Sequence, residues 1–332
     1  MEKIRIAQIG TSKNSHGNCV WNSITKQKDI FEVVGYAFPE NEREKFPHPA
    51  QAFEGYREMT VDEILSDPEI EAVAVETEEI YLTKYALMAA NAGKHLHMEK
   101  PGGIGSEDFD KLISVLKSKR LAFSTGYMYR FNPKIKEAFA KIRNGELGEI
   151  YSVEAHMDCK HSNDVRSWLE AFPGGMLFFL GCHLIDLIYQ IQGEPEEVLP
   201  LSCSTHFDGI DTKDYGMVVF KYKNGISFAK TCDTECGGFM RRQLVICGEK
   251  GTIEIKPLEV CEQGGQYTVM HESHETTDWY KPWVTTKTGI YDRYDDMMKN
   301  FAEIIRGKEN PYSYDYESGL HKLILKACGK EL

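Results

Sequence analysis

The sequence has no cysteine spacing typical of a zinc knuckle or a redox centre. Nine cysteines are scattered over its 332 residues, and the closest pair, Cys232 and Cys236, fits neither motif. An odd number of unpatterned cysteines is typical of a protein with reduced thiols. We therefore expect a cytoplasmic protein whose thiols are reduced and mostly buried.

Long hydrophobic runs and excess positive charge are also missing. The most apolar stretch, 176–191, is interrupted by Gly181, His183 and Asp186, which does not fit a membrane span. The chain opens directly on a predicted strand, so we expect no signal peptide. Its net charge is −12. Because such a field repels polyanions, we expect neither a nucleic-acid nor a membrane partner.

The length and the pattern of elements predict two domains, 1–125 and 126–332. Strand-like and helical segments alternate over the first domain, which is typical of an α/β fold with a doubly wound parallel sheet. In the second domain, strands with period two are joined by short turns such as Lys223-Asn224-Gly225. We therefore expect a C-terminal α+β domain with a mostly antiparallel open sheet.

A candidate cofactor loop, Gly10-Thr11-Ser12-Lys13-Asn14-Ser15-His16-Gly17, follows the first strand. Only the first glycine of a dinucleotide fingerprint is in place, since Ser12 and Ser15 occupy the other two positions. Small hydroxyl side chains can still leave amides available to phosphate oxygens, and Lys13 adds positive charge. Phe38 stands where an acid normally binds the adenosine ribose, although its ring could stack on adenine. A Rossmann-like domain that no longer binds NAD tightly is the alternative.

The charged turn Glu99-Lys100-Pro101 ends the predicted strand 95–98. Ligands of parallel α/β sheets gather outside the carboxyl ends of the strands, and the sequence Pro-Gly-Gly cannot continue a strand. Lys100 is therefore directed at the ligand crevice. The alternative is an ordinary solvated lysine on a surface turn.

Several motifs resemble the glucose–fructose oxidoreductase and inositol dehydrogenase (Gfo/Idh/MocA) family, and the likeness covers nearly the whole chain. In order they are Ala92-Gly93-Lys94-His95, Glu99-Lys100-Pro101, Gly126-Tyr127, Arg130-Phe131-Asn132-Pro133, Gly145-Glu146-Leu147-Gly148-Glu149-Ile150, Trp168, Gly174-Gly175, Gly181-Cys182-His183-Leu184-Ile185-Asp186 and Gly248 to Ile253.

The resemblance implies an oxidoreductase that uses NAD or NADP to interconvert a hydroxyl and a ketone on a sugar or cyclitol. It implies Lys100 as the hydrogen-bond donor to the reacting oxygen and His183 as the general acid/base. A cis peptide before Pro101 would fix this lysine. The second sheet would form a homo-dimer or homo-tetramer. The implied cofactor residues are Gly10, Thr11, Ser12, Lys13, Asn14, Ser15, Phe38, Thr77, Glu78, Glu99 and Lys100; the implied substrate residues are Tyr127, Arg130, His156, Asp164, Trp168, His183 and Asp186.

Two departures from the family pattern affect the predicted chemistry. Phe179 replaces the aspartate that lies one helical turn before the catalytic histidine, and Asp186 could orient the imidazole instead or form a salt bridge. Thr77-Glu78-Glu79 replaces Thr-Pro-Asn, and its two carboxylates would repel a pyrophosphate unless they point away or bind a ribose hydroxyl. A redox-inactive member that acts as a ligand-sensing or regulatory protein is the alternative function.

A metal site is a further alternative. Glu154, His156 and Asp158 alternate on one predicted strand and share a face, so with His161 or His183 they could bind a metal. A polar pocket wall is the favoured interpretation, and we assign no metal. Two segments are predicted to be irregular: the loop before Trp168, which carries Asp164 and Arg166 as candidate substrate contacts, and the polar stretch 271–274, with solvated histidines.

Overall fold

The computed structural model describes residues 2–274 and 277–331 and divides the chain into two compact units. The first unit contains Met1–Met128 and Tyr294–His321. The second contains Tyr129–Arg293 and Lys322–Leu332. Residues 294–321, which were predicted to lie in the second domain, belong to the first unit.

A five-stranded parallel sheet forms the centre of the first unit, in the order β2-β1-β3-β4-β5. Its central strand, with the sequence Ala-Val-Ala-Val, is buried along its whole length, as expected when helices cover both faces of a parallel sheet. The predicted α/β class is confirmed. The strands are β1 (Ile4–Ile9), β2 (Phe31–Ala37), β3 (Ala72–Val75), β4 (His95–Met98) and β5 (Phe123–Thr125).

Helices connect these strands and bury one apolar face each. In the longest of them, Phe109, Leu112, Ile113 and Leu116 follow the helical period and are buried in the core. The segment before β3 begins with a capping box, in which Thr60 and Glu63 bond each other's backbone amides. The helices are α1 (Gly17–Lys26), α2 (Glu42–Lys45), α3 (Pro47–Ala50), α4 (Val61–Ser66), α5 (Leu82–Asn91) and α6 (Ser106–Lys119).

The second unit contains an eight-stranded sheet in the order β15-β14-β11-β10-β6-β9-β8-β7. Among the described strands of this sheet, β6 and β9 pair in parallel and the other neighbours pair antiparallel. The predicted mostly antiparallel sheet is confirmed. The strands are β6 (Ile150–Asp158), β7 (Glu197–Cys203), β8 (Tyr215–Tyr222), β9 (Gly225–Cys232), β10 (Gln243–Gly248), β11 (Gly251–Ile255), β12 (Val260–Glu262), β13 (Gly265–Tyr267), β14 (Val269–His274) and β15 (Val284–Lys287), with β12 and β13 forming a separate hairpin.

One face of this sheet is covered by helices. The helices are α7 (Pro133–Arg143), α8 (Asn163–Trp168), α9 (Met176–Phe179) and α10 (Gly181–Gln192). On β6, Val153, Ala155 and Met157 are fully buried, and α9 and α10 pack over β6, β8 and β9. Because side chains alternate along a strand, Glu154 and His156 lie on the opposite face of the sheet.

Two C-terminal helices follow, α11 (Arg293–Ile305) and α12 (Tyr314–Ala327). The apolar face of α11 belongs to the first unit, where the Phe301 ring lies 5.8 Å from the His97 ring and Ser23 donates a hydrogen bond to Asp295. This packing explains why the segment does not belong to the second unit. Among the residues described, no helix is long and apolar enough to cross a membrane.

Two predictions of irregular structure were wrong. Residues 163–168 form α8, which is held by Arg166 through ion pairs with Asp208 and Asp214. Residues 271–274 belong to β14, which pairs with β11 on one side and β15 on the other. Both segments are polar, so hydrophobic periodicity could not reveal them.

Candidate active site

Lys100 follows β4 and is only 1% exposed. The alternative of a solvated surface lysine was therefore wrong. The Lys100–Pro101 peptide is cis, as predicted. An ammonium group loses its hydration when it is buried, so it requires compensating charge and hydrogen bonds.

Three buried carboxyl groups, Glu76, Glu79 and Glu99, come from the ends of β3 and β4 and interact electrostatically with Lys100. Burial raises the pKa of Glu79 to about 7, while the charge of Lys100 opposes that rise. Burial and the neighbouring charge of Glu99 hold the pKa of Glu76 well above its usual range. Glu76 is not among the predicted site residues. Glu79 was expected to repel a pyrophosphate unless it pointed away or bound a ribose hydroxyl, and it is found to interact with Lys100.

Glu99 follows β4, and its carboxylate lies next to His16, the residue that precedes α1. Its Oε2 accepts the His16 amide and contacts the His16 ring nitrogen Nδ1, both at 3.2 Å, while its Oε1 accepts the Lys100 amide at 2.8 Å. Burial by itself would raise the pKa of Glu99, but His16 and Lys100 outweigh it and hold that pKa to about 2. Glu99 is therefore ionised and interacts with the positive end of the α1 dipole.

Gly10 makes the first turn of the candidate cofactor loop. Its φ is +91°, and a Cβ at this position would lie 2.4 Å from Cγ2 and 2.6 Å from the amide nitrogen of Thr77. The fingerprint's first glycine is thus required both by conformation and by space. The contact also places two predicted cofactor residues, Gly10 and Thr77, side by side.

Replacing Gly10 by alanine should destabilise the protein, because the backbone conformation is strained and Thr77 must move. Gly55 has φ +85° but open space around its missing Cβ, so Gly55→Ala measures the conformational cost alone. We expect Gly10→Ala to lower the free energy of unfolding by about 1–3 kcal/mol more than Gly55→Ala in urea titrations. Equal losses would contradict the close approach to Thr77.

The serines of the loop hold its amides. Ser12 Oγ accepts the amides of Asn14 and Ser15, and Ser15 Oγ accepts the amides of Ser12 and Gly17, all at 3.2 Å. The two serines thus stand at the positions of the fingerprint's second and third glycines. Their hydroxyl oxygens accept the amide hydrogen bonds that phosphate oxygens would otherwise accept. Their hydroxyl groups can rotate away, which would return the amides to a phosphate ligand.

Glu42 is a loop contact that the sequence did not reveal. Its carboxyl group is fully buried and accepts the Thr11 amide at 3.0 Å. Burial raises the pKa of Glu42 to about 8, although the hydrogen bond from Thr11 opposes the rise. Glu40 and Asn41 have left-handed backbone conformations, and this turn directs α2 back toward the cofactor loop.

Glu42→Gln should change how stability depends on pH. The pKa of Glu42 is raised in the folded protein, so its protonation stabilises the folded state at low pH, and this stabilisation is lost as the pH rises toward about 8. In urea titrations between pH 5 and 8, wild type should therefore lose about 1.4 kcal/mol per pH unit relative to Glu42→Gln. A difference independent of pH would contradict a neutral buried Glu42.

Glu40→Gln is the matched comparison for this experiment. Lys84 and Tyr85 hydrogen-bond Glu40 and lower its pKa. The contribution of Glu40 to stability is therefore present above its unfolded pKa and is lost as the pH falls. Between pH 5 and 8 the stability difference between wild type and Glu40→Gln should therefore stay constant, and it should shrink only as the pH falls below the usual carboxyl pKa of 4.5.

The remaining predicted cofactor residues lie in the loop itself or in the segments that follow β2 and β3. Phe38 packs against Tyr36 and Phe53, and the guanidinium of Arg43 lies 5.3 Å above its ring. Glu78 pairs with Lys45 at 3.3 Å, so its charge is compensated. Lys13 is exposed, whereas Asn14 and Ser15 are half-buried.

In the second unit, His183 lies in the first turn of α10 and is 1% exposed. Its ring contacts the Tyr129 ring edge to face, with centroids 5.4 Å apart. The Tyr129 hydroxyl donates to Glu259 at 2.5 Å, and Glu259 also pairs with Arg242. Burial raises the pKa of Tyr129 far above its usual range, so this tyrosine is a fixed neutral neighbour of His183.

Arg130 and Asp186, both predicted to contact substrate, form a buried ion pair with each other. Arg130 Nε lies 3.0 Å from Oδ2 of Asp186, and its NH2 lies 2.8 Å from Oδ1. Gln190 also donates to Asp186. Of the two roles left open for Asp186, the salt bridge is therefore the one observed.

Trp168 packs edge to face against Phe179, at a centroid distance of 5.2 Å, and His161 lies on the same ring at 6.3 Å. Phe179, which replaces the family's aspartate, is thus 5% exposed and enclosed by aromatic rings.

Asp164 and Tyr127 are two further predicted substrate residues. Asp164 is exposed and accepts a hydrogen bond from Ser162 at the start of α8. Tyr127, in the first unit, is 2% exposed.

The structure separates His156 from His183. His156 lies on the sheet face opposite α10, and burial together with Lys230 lowers its pKa to about 4. His156 and α10, which carries His183, therefore lie on opposite faces of the sheet, although both histidines are predicted to contact substrate. Among the described residues, Glu154, His156 and Asp158 do not belong to a group of converging metal-ligand atoms, and Asp158 pairs with Lys230 at 3.0 Å.

Comparison with known proteins identifies the family. Residues 4–127 match the model of the oxidoreductase family with an NAD-binding Rossmann fold, and residues 135–254 match the GFO/IDH/MocA C-terminal domain. The chain belongs to the Gfo/Idh/MocA oxidoreductase family. The family resemblance inferred from the motifs is thereby confirmed.

Three similar proteins illustrate the range of this family. An uncharacterized oxidoreductase of Rhizobium meliloti, ORF334, is 30% identical over 59% of this chain and 58% of its own length. Bovine trans-1,2-dihydrobenzene-1,2-diol dehydrogenase is 24% identical over 64% of this chain and 62% of its own. The alignments thus span about three-fifths of these relatives. Levoglucosan dehydrogenase, solved with NADH and levoglucosan, has a TM-score of 0.80 at 19% identity and covers 99% of this chain and 98% of its own.

The loop residues fit a nicotinamide dinucleotide. Gly10 lets the turn pass directly against Thr77, where any Cβ would clash, and the loop amides are bonded by hydroxyl groups that can rotate away. Gly10 to Ser15 would hold the pyrophosphate, with Lys13 adding charge.

Proposed function

We propose that the chain is an NAD(P)-dependent oxidoreductase that interconverts a hydroxyl and a ketone on a sugar, cyclitol or related compound. The buried ammonium of Lys100 at the carboxyl end of β4 is the observation that carries the proposal. The surrounding carboxyl groups offset the cost of burying this charge. A fully buried lysine at a strand's ligand end is suited to bind a developing oxyanion.

Each residue has a separate role in the proposed reaction. A bound nicotinamide supplies the hydride acceptor or donor. Lys100 donates a hydrogen bond to the reacting oxygen, and the carboxyl group of Glu79 interacts electrostatically with this ammonium. His183 moves the hydroxyl proton. The roles of Lys100 and His183 are those that the family resemblance implies. The two residues belong to different units.

Arg43 bears on the choice between NAD and NADP. Its guanidinium lies above the Phe38 ring and pairs with Glu58 at 2.6 Å. This pair is half exposed and therefore contributes little stability, so a phosphate could displace Glu58 from the guanidinium. We propose that Arg43 binds the 2′-phosphate of NADP. Arg43→Gln should then weaken NADPH binding and leave NADH binding unchanged.

The serine hydroxyls that hold the loop amides favour a second candidate, a ligand-binding protein without redox chemistry. In that case the loop would keep its internal hydrogen bonds and bind no dinucleotide. Substrate identity would then be set by the second unit alone.

Calorimetry with NADH and NADPH, followed by a panel of sugars and cyclitols with the oxidised cofactors, separates the two candidates. We expect saturable binding of at least one cofactor and formation of reduced nicotinamide with at least one polyol. The absence of binding at millimolar cofactor would reject the oxidoreductase and favour the binding protein. Binding without turnover on any polyol would reject the proposed substrate class.

A further inference from the structure

Three side chains that can bind metals converge after the parallel strands β6 and β9. Beyond the last paired residues, the Cys159 amide donates to the Cys232 carbonyl and the His161 amide donates to the Asp233 carbonyl, at 2.9 and 3.1 Å. The two chain segments therefore continue side by side past the sheet. This pairing directs Cys159, His161 and Asp233 to one point, where their ligand atoms all lie within 4.8 Å of one another.

The spacing of these atoms matches a tetrahedral metal site. Cys159 Sγ lies 3.5 Å from His161 Nδ1 and 3.6 Å from Asp233 Oδ1. Zinc–sulfur bonds of about 2.3 Å and zinc–nitrogen or zinc–oxygen bonds of about 2.0–2.1 Å, at tetrahedral angles, put sulfur about 3.6 Å from each of the other ligands. His161 Nδ1 and Asp233 Oδ1 are in direct contact and would separate by about 1 Å around an ion.

The surroundings of these three residues give a second, independent indication of a metal site. Asp233 is fully buried, yet its Oδ2 has no hydrogen-bond partner among the described residues, which is costly for a carboxylate. A cavity of about 350 Å³ borders His161 and Asp233 and is also lined by Lys160, Arg166 and Cys236. The cavity leaves room for a fourth ligand, such as water.

We propose that Cys159, His161 and Asp233 bind one zinc-class divalent ion, with the fourth coordination position open to the cavity. A thiolate and a carboxylate neutralise the two positive charges, and a neutral imidazole completes the set. Sulfur and nitrogen ligands favour zinc or cobalt over magnesium or calcium. Binding releases the thiol proton of Cys159 to solvent. The metal proposal does not rest on the proposed oxidoreductase function.

Cobalt and zinc titrations of chelator-treated protein test the site. Wild type should bind one ion with a Kd of about 1 μM or below, and Co²⁺ should give a thiolate-to-cobalt charge-transfer band. His161→Ala and Asp233→Asn should weaken zinc binding by about 100-fold or more. Cys159→Ser should abolish the charge-transfer band. A wild type without 1:1 binding, or unchanged binding in these variants, would overturn the proposal and leave a hydrogen-bonded triad.

The exposed thiols are excluded by a matched control. Cys19, Cys203, Cys236 and Cys261 are exposed, and Cys236 lines the same cavity. Replacing all four by serine should preserve both the stoichiometry and the band. Loss of the band in this variant would overturn the assignment to Cys159, even if the single variants fail to fold.

Discussion

Lys100→Met should lower kcat/KM by about 10²–10⁴-fold for any polyol that the wild type oxidises. Methionine has a similar length but cannot donate a hydrogen bond to the reacting oxygen. The variant should remain folded, because the same burial that raises the pKa of Glu79 lets this carboxyl group become neutral once the lysine is gone. Steady-state kinetics with reduced-nicotinamide absorbance, together with cofactor calorimetry, measures both properties.

Lys94→Met provides the matched control for this prediction. Lys94 is also buried in the first unit, but its ammonium donates to the backbone carbonyls of Asp67 and Ile70. Its replacement should lower stability and leave kcat nearly unchanged. If both lysine variants lost activity in proportion to their loss of stability, Lys100 would have a structural role only.

Glu79→Gln distinguishes the influence of the carboxylate on Lys100 from simple packing. Because burial raises the pKa of Glu79 to about 7, its ionisation should add an inflection near neutral pH to the wild-type profile of kcat/KM. Glutamine preserves the shape of the side chain and cannot ionise. The inflection should therefore disappear, and its persistence would assign the titration to another group.

Arg130→Met should cost about 3–5 kcal/mol of unfolding free energy, because it leaves Asp186 charged and buried without its bidentate partner. In the double variant Arg130→Met with Asp186→Leu, no charge remains to be buried. Most of the lost stability should return, since replacing a buried ion pair by apolar groups is often neutral. Urea titrations of the single and double variants give the coupling energy.

The exposed pair Lys221 and Glu197 is the control for the buried one. Its atoms are 3.0 Å apart, close to the spacing of the buried pair, but both side chains are more than half exposed. Lys221→Met should therefore cost much less unfolding free energy than Arg130→Met. Comparable losses from Lys221→Met and Arg130→Met would show that burial does not decide the strength of the Arg130 pair.

The fold was predictable where local pattern and burial agree. The strand β3 has four small apolar residues and α6 has a regular apolar stripe, so both show the local pattern that predicted alternating strands and helices in the first domain. In contrast, α8 depends on Arg166, whose partners lie more than 40 residues away. The strand β14 carries a polar sequence and is defined by its two neighbours. Long-range pairing of this kind leaves no local signal.

The candidate site was predictable in its motifs but not in its electrostatics. The sequence identified Lys100 and the Gly10 turn, whereas Glu42 reaches the loop only because the chain reverses at two left-handed residues. It also could not show that Arg130 and Asp186 bond each other, since 56 residues separate them. Charges that compensate each other in space are not adjacent in sequence.

The assignment of α11 to the first unit has a consequence for biosynthesis. The first 128 residues leave the ribosome long before residues 294–321, which complete the same unit. During that interval the nascent unit must hold its sheet without the helix that carries Phe301 against His97. Chaperone capture and slow late docking are therefore expected features of its synthesis, and premature termination would leave an aggregation-prone apolar face.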